Sequence, residues 1–185
     1  MIDLYVKYII DKLKIYISKK YDKNIDFIYS NCVNIVGDDR INNRIAVSVV
    51  NISNEPIDIS AKKYIPNGNG YIVQKTPLMF YVYILFRSAF DGKNFLDGLR
   101  VLSLIASFFL TNCHFYVKDN DDMLDRGLKD FEVFLQKDYK EYANKDVYSY
   151  SPALLYKIGL IEINADITEN INVAVIEKYK LDLSI

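Results

Sequence analysis

The sequence contains one histidine, two cysteines and no tryptophan among its 185 residues. Histidine is the commonest side chain for proton transfer near neutral pH and the commonest metal ligand, so a single copy, His114, limits both kinds of site. Two cysteines, Cys32 and Cys113, cannot form a disulfide framework, and they do not stand in a C-x-x-C motif. We interpret both cysteines as small core residues of a chain that folds in a reducing compartment.

Sequence motifs that carry catalytic or metal chemistry are also missing. No G-x-S-x-G elbow, P-loop or H-E-x-x-H motif occurs, and the glycines around Asn69 lack the third glycine of a dinucleotide fingerprint. Residues 118–122 resemble a calcium loop, but Met123 and Leu124 occupy positions that need an oxygen ligand and the turn glycine. His114 is interpreted as a strand residue with a hydrogen-bonded ring. We therefore predict that the chain is not an enzyme and has no catalytic residue, metal ligand or cofactor.

The chain has neither an excess of one charge nor a long apolar run. Lys and Arg number 23 and Asp and Glu number 24, so no basic surplus is available for a phosphate backbone, and we predict no nucleic-acid partner. The longest apolar runs, residues 77–86 and 101–110, fall short of the roughly 20 residues that a membrane-spanning helix needs. Because no secretory signal pattern is found, we expect synthesis and folding in the cytoplasm, without membrane insertion.

Hydrophobic periodicity predicts two helices and six strands in an α+β fold. Helical spacing of apolar residues favours helices over residues 2–20 and 93–111, and the second is apolar nearly all round, which predicts the most buried helix. Asp91 is placed to cap that second helix. Alternating and β-branched segments predict strands over residues 25–30, 44–53, 78–87, 113–117, 131–135 and 154–163. The order of these elements indicates a mainly antiparallel sheet with two main helices packed on it.

The strand over residues 44–53 is apolar on both faces. Simple alternation places Val49 on one face and Ile52 on the other. This pattern predicts a central strand that is covered on both sides.

The distribution of polar residues predicts where the domain ends. Residues 67–70 have the composition of a turn at the tip of a hairpin-like excursion. We assign residues 1–163 to a single α+β domain and residues 164–185 to a linker and a strand-like tail. The tail, residues 173–185, either folds back as the last strand of its own sheet or pairs with a neighbouring chain.

Tyrosine is abundant, with sixteen copies. A tyrosine ring offers a large contact area and one hydrogen bond, which suits surfaces that a partner buries. Tyr81 and Tyr83 share one face of a strand whose other face is aliphatic, and Tyr148, Tyr150 and Tyr156 cluster around the last core strand. An equally open alternative is that these rings cover the sheet beneath a helix. With alternate residues of the tail, the predicted interface comprises Tyr81, Tyr83, Tyr148, Tyr150, Val173, Val175, Tyr179, Leu181 and Leu183.

Four apolar segments have an order and spacing that match a known family. They are VSVVNISNEP at residues 47–56, PLMFYVYILF at 77–86, LRVLSLIASFF at 99–109 and SPALLYKIGLIEI at 151–163. In this order they resemble the cap or tail-terminator family (Pvc-type) of extracellular, phage-tail-like contractile injection systems. The resemblance spans roughly residues 2–163, most of the chain, and the chain departs from the family's pattern at Tyr81 and Leu110.

What the resemblance implies is a tail-terminator-like fold and a structural cap that closes the end of the inner tube and the contractile sheath. The subunit would assemble as a homo-oligomeric ring, a hexamer, with tube and sheath subunits as partners. It would be part of a contractile particle that the cell can release. Two alternatives stay open: another structural adaptor of the same machine, such as a baseplate or connector component, and a small-ligand-binding protein with a tyrosine-lined pocket.

Overall fold

The computed structural model divides into two compact units. The first comprises Met1–Glu55 and Met79–Glu162, and the second comprises Pro56–Leu78 and Ile163–Ile185. The assignment of residues 1–163 to one domain stays a prediction. The residues that the structure describes are 2–29, 43–54, 63–67, 70–74, 78–90, 92–117, 124–125, 128–136, 151–163 and 169–171.

The described residues contain two long helices, α1 (Ile2–Ser18) and α2 (Phe95–Thr111). The strands, in chain order, are β1 Phe27–Tyr29, β2 Arg44–Asn54, β3 Lys63–Asn67, β4 Gly70–Gln74, β5 Leu78–Ala89, β6 His114–Phe115, β7 Phe131–Gln136, β8 Ala153–Ile163 and β9 Glu169–Ile171. Both predicted helices and all six predicted strands are present, and no end differs from its prediction by more than two residues. Strands β3, β4 and β9 were not predicted.

The first unit is built on a six-stranded sheet with the order β1-β2-β5-β8-β7-β6. Strands β2 and β5, β7 and β8, and β6 and β7 pair antiparallel, whereas the short β1 pairs parallel with β2. Where β5 ends and β8 begins, the Ser88 amide donates to the Pro152 carbonyl over 3.0 Å. Further along, Gly159 lies beside Tyr81, so these two strands also run antiparallel. The predicted α+β fold with a mainly antiparallel sheet is confirmed.

The second unit contains a separate three-stranded sheet with the order β3-β4-β9. Strands β3 and β4 pair antiparallel, and Asn67 opposite Gly70 is the pair nearest the turn, as the sequence predicts. Strand β9 pairs with β4, although its residues fell within the predicted polar linker. The linker prediction relied on composition, and the backbone pairing of a three-residue strand leaves little compositional trace.

Both helices of the first unit pack on one face of its sheet through aromatic rings. From α1, Tyr5 meets Phe131 of β7 edge-on, with ring centroids 5.0 Å apart. From α2, Phe109 meets Tyr156 of β8 at 4.3 Å and Phe86 of β5 at 5.8 Å. We call the cluster of these rings and their buried neighbours the core cluster, and its members are Tyr5, Tyr8, Phe86, Phe108, Phe109, Phe115, Phe131 and Tyr156.

Helix α2 begins in close contact with the end of β5. A Cβ atom on Gly98 would lie 2.1 Å from Ser88 Oγ and 2.9 Å from the Phe90 ring, so only glycine permits this approach. Asn94 occupies the N-cap position without a side-chain cap hydrogen bond to the helix backbone, and its side-chain amide donates to Asn43 Oδ1 over 3.0 Å. Asp91, the predicted cap, lies outside the described residues.

The prediction for β2 is partly wrong because the strand contains a bulge. Val49 lies opposite Ile84 and Asn51 opposite Tyr83, so Val50 is an extra residue in the ladder. After the bulge, Ile52 lies opposite Val82 and therefore shares the helix-side face with Val49, not the other face. Residues 45–48 are buried, but Val49 and Ile52 are 44% and 48% exposed, so only the first half of the strand is covered on both sides.

Two further predictions about burial need correction. Helix α2 is not the most buried helix: α1 buries seven residues and α2 six, and Leu96 and Leu110 of α2 are 77% and 84% exposed. The apolar residues that surround α2 thus do not all face the protein's interior. Cys113 is a free thiol of intermediate burial rather than a core residue, and Cys32 lies outside the described residues.

Candidate functional site

The described part of the predicted interface is Tyr81 and Tyr83 on β5. Tyr81 lies opposite Ser53 and Tyr83 opposite Asn51, so both rings are on the face of the sheet away from the helices, as alternation predicts. Both are half-buried. Tyr156, by contrast, belongs to the core cluster and covers the sheet beneath a helix. The other predicted interface residues, Tyr148, Tyr150, Val173, Val175, Tyr179, Leu181 and Leu183, lie outside the described residues, and the interface role stays a prediction.

A row of four residues crosses the sheet on the face of Tyr81. His114 of β6 pairs with Glu132 of β7, and Glu132 pairs with Gly159 of β8. Gly159 in turn lies beside the Tyr81 ring of β5. Because directly opposite residues in a sheet project to the same side, this register brings an imidazole, a carboxylate and a phenol together around a residue without a side chain.

The missing side chain of Gly159 forms part of a cavity of about 500 Å³, which we call the Gly159 cavity. A Cβ atom on this glycine would lie 3.4 Å from the Phe134 ring and 3.9 Å from the Tyr81 ring. These two aromatic rings thus stand on either side of the glycine. His114, Tyr116, Asp130 and Glu132 also line the cavity. This combination of aromatic walls and a few polar groups is typical of ligand-binding and anchor-residue pockets.

Charged groups at the Gly159 cavity are already arranged in pairs. His114 Nδ1 lies 2.9 Å from Glu132 Oε1, and both side chains are about half exposed. The Val117 amide donates to Asp130 Oδ1 over 2.7 Å. Lys157 Nζ lies 3.3 Å from the centre of the Tyr81 ring, a cation–π contact at the cavity's rim. The interpretation of His114 as a strand residue with a hydrogen-bonded ring is confirmed.

Sequence reasoning missed most of this cavity. It singled out Tyr81 but not Glu132, Phe134 or Gly159. Part of the cavity could have been predicted from the sequence, since alternation along β7 places Glu132 and Phe134 on the face opposite Phe131. The glycine within the apolar β8 was the second signal, because a glycine inside a strand often marks a place where something approaches closely.

A second exposed surface, the α1 groove, lies on the helix side of the sheet. It has a volume of about 520 Å³ and is lined by Ile2 and Val6 of α1, Tyr29 of β1, and Val49 and Ile52 of β2. The bulge at Val50 creates this surface, because it returns Ile52 to the same face as Val49. Asp3 and Lys7 are the charged residues at its lining.

The described residues form neither a metal site nor a membrane-spanning helix. No group of three or more His, Cys, Asp or Glu side chains that could hold a metal ion occurs among them. Within the same ranges, no helix is both long enough and apolar enough to cross a membrane.

The arrangement at the Gly159 cavity offers aromatic faces and carboxylate oxygens, which together suit the binding of a cationic group.

Comparisons with known proteins gave one structural neighbour of interest. Comparison of the sequence with protein-family models found no match, and comparison with curated proteins found none either. The fold is similar to a chain in a cryo-EM structure of an extracellular contractile injection system, the PVC sheath/tube terminator in the extended state. The TM-score is 0.49 at 10% sequence identity, and the alignment covers 97% of this chain. This chain spans 64% of the length of that neighbour.

Proposed function

We propose that this protein is a non-catalytic structural subunit that caps the end of the tube and the contractile sheath of a phage-tail-like injection system. The observation that carries the proposal is the position of the four segments that resemble the tail-terminator family. They fall on β2, β5, α2 and β8, which are three adjacent strands of one sheet and a helix packed on them. The resemblance thus follows one continuous piece of architecture rather than scattered apolar segments.

The proposed assembly is a hexameric ring seated on tube and sheath subunits. A ring of identical subunits closes through heterologous contacts and needs no further specialised protein to stop its growth. The face that carries Tyr81 and Tyr83 is the proposed interface, because half-buried tyrosine rings gain contact area when a partner covers them. The proposed particle is assembled in the cytoplasm and released from the cell.

Deletion of the protein from its producing strain tests the capping role. Without a terminator, electron microscopy should show tubes or sheaths of uncontrolled length, or sheaths detached from tubes. Normal-length, fully sheathed particles in the deletion strain would refute the role. Labelling the protein on intact particles tests the adaptor alternative, because a label at the baseplate end rather than the opposite end contradicts capping.

Complementation of the same strain tests the proposed interface. A double variant, Tyr81→Ala and Tyr83→Ala, should fail to restore normal particle length. Tyr29→Ala is the control, because Tyr29 is a strand tyrosine of the same sheet that lies on its helix side. Restoration by the double variant would show that the Tyr81 face is not the interface.

The C-terminal segment, residues 173–185, is proposed to pair with a neighbouring chain or sheath subunit by strand addition. A chain ending at Ile171 keeps β9 and its pairing with β4. We expect this shortened protein to remain folded and soluble and to lose its binding to tube or sheath ends. If it unfolds or aggregates instead, the segment belongs to the protein's own core.

A further inference from the structure

We infer that the Gly159 cavity receives the guanidinium group of an arginine side chain from a protein partner. The inference rests on the proposed function only in that the arginine belongs to another protein subunit. Four features of the cavity carry it: its shape, its aromatic walls, its carboxylates and its charge.

The shape comes from the absence of a side chain at Gly159. Its neighbours in the cross-strand row, Glu132 and Tyr81, have long side chains on the same face, so the glycine leaves a gap between them. The ring of Phe134 is 43% exposed and borders this gap, 3.4 Å from where a Cβ atom would lie. A flat group can enter between the aromatic rings with little rearrangement of the backbone, because β7 and β5, which carry Phe134 and Tyr81, flank β8 in the sheet.

The aromatic walls favour a cation over a neutral group. An aromatic ring has a negative face, and a guanidinium group stacks on such a face through both electrostatic and planar contact. Lys157 Nζ lies 3.3 Å from the centre of the Tyr81 ring, so a positive group already lies against an aromatic ring of this cavity. Phe134 and Tyr116 supply further exposed rings at the same cavity.

The carboxylates supply directional acceptors. A carboxylate has about four lone-pair sites, so the single His114 contact to Glu132 Oε1 leaves acceptor capacity for guanidinium N–H groups. Asp130 likewise accepts one backbone amide at Oδ1 and retains further capacity. Arginine forms paired hydrogen bonds with carboxylates in a fixed planar geometry, which an ammonium group does not provide.

The charge of the lining also favours an incoming cation. Two carboxylates, Glu132 and Asp130, line the cavity, and neither a lysine nor an arginine is among its described lining residues. Lys157 lies at the rim, over the Tyr81 ring. An arginine that enters meets both carboxylates and adds a buried aromatic contact, the combination found at energetically dominant interface positions.

The test uses the full-length, ¹⁵N-labelled protein and N-acetyl-arginine amide, which presents the side chain without charged termini. Titration should shift the backbone NMR signals of His114, Glu132 and Gly159 in a saturable manner. N-acetyl-lysine amide should bind at least threefold more weakly. An ammonium group cannot stack flat on an aromatic ring and also donate two parallel hydrogen bonds to a carboxylate. Equal binding of the two compounds, or shifts spread over acidic residues elsewhere, would overturn the inference.

Two variants and a control locate the binding. Glu132→Gln keeps the shape and removes the charge, and we expect at least fivefold weaker binding. Gly159→Val fills the gap and should abolish the shifts, and its fold is checked from the remaining NMR signals. Asp11→Asn, on an exposed position of α1, makes the same change in net charge and should leave the affinity within twofold. If Asp11→Asn weakens binding as much as Glu132→Gln, general electrostatics explain the result and the inference fails.

The Glu132→Gln result decides the question even if Gly159→Val does not fold. Failure of this test leaves the particle-length phenotype of the deletion strain untouched. Conversely, normal particles in the deletion strain would not affect the titration. The two proposals can therefore fail separately.

Discussion

Phe131 and Phe115 of the core cluster lie close in the chain to Phe134 and Tyr116 of the Gly159 cavity, yet the two pairs of rings differ in their surroundings. Phe131 is 4% exposed and stacks on Phe115 at a centroid distance of 4.8 Å, whereas Phe134, three positions further along β7, is 43% exposed. Phe115 is buried and its neighbour Tyr116 is exposed. Alternation along β7, not residue type, decides that the Phe131 ring is buried in the core and the Phe134 ring is exposed.

The largest expected difference between the two groups of rings is in how much each ring contributes to the free energy of unfolding. Phe131→Ala removes a ring that contacts Tyr5, Tyr8 and Phe115, and we expect a loss of about 3–5 kcal/mol in the free energy of unfolding. Phe134→Ala, the matched change on the exposed face, should cost less than about 1 kcal/mol. Urea unfolding followed by circular dichroism measures both values. Equal losses would mean that the two groups of rings are not distinct.

The next effect concerns the ionisation of a core ring at high pH. Burial raises the pKa of Tyr156 to about 12. The unfolded chain releases this proton near pH 10, so between about pH 10 and 12 the unfolded state binds fewer protons and the free energy of unfolding falls as pH rises. The loss is at most about 3 kcal/mol. Unfolding measured from pH 9 upward should show a shallower decline for Tyr156→Phe, and identical declines would contradict the burial of this phenol.

A smaller loss of stability is expected when the hydroxyl group of the core residue Tyr5 is removed. The Tyr5 hydroxyl accepts a hydrogen bond from the Lys129 amide over 2.9 Å, while its ring packs on Phe131. Tyr5→Phe keeps the ring and removes the acceptor, which should cost about 1 kcal/mol. Faster exchange of the Lys129 amide hydrogen should accompany the loss. As a control, Tyr29→Phe at an exposed position should leave stability unchanged within error.

The smallest effect lies at the rim of the Gly159 cavity. The contact between Lys157 and the Tyr81 ring should contribute a coupling of about 0.5–1 kcal/mol in a double-mutant cycle of Lys157→Met and Tyr81→Leu. Lys12 lies 5.3 Å from the Tyr8 ring, and the corresponding cycle there should give a weaker coupling. A zero coupling for the first pair would remove one reason to regard the cavity as a cation site.

The sequence predicts the elements of this fold better than it predicts what each face meets. Strong periodicity located both helices and all six strands of the main sheet, because helix and strand periods depend on local sequence alone. The Gly159 cavity was not predicted, since it requires the register that places Glu132 opposite Gly159 on another strand. Strands β3 and β4 were missed because their pairing, rather than a strong apolar alternation, defines them.

Helix α2 also shows that the sequence predicts an element better than it predicts what each face of that element contacts. Its apolar residues cover nearly the whole circumference, and that pattern predicts a helix buried all round. The observed packing covers only the side with Val101, Ile105 and Phe108 and leaves Leu96 and Leu110 exposed. Composition tells how much of a helix is apolar, whereas only the tertiary arrangement tells how much of it finds a neighbour.

The bulge in β2 has a consequence for how this chain tolerates insertions and deletions. Val49 pairs with Ile84 and Asn51 with Tyr83, so the ladder on both sides of Val50 is already continuous without it. Removing Val50 would therefore join two halves that keep both their pairing with β5 and the faces of their side chains. The strand can therefore lose a residue at the bulge and keep the same sheet.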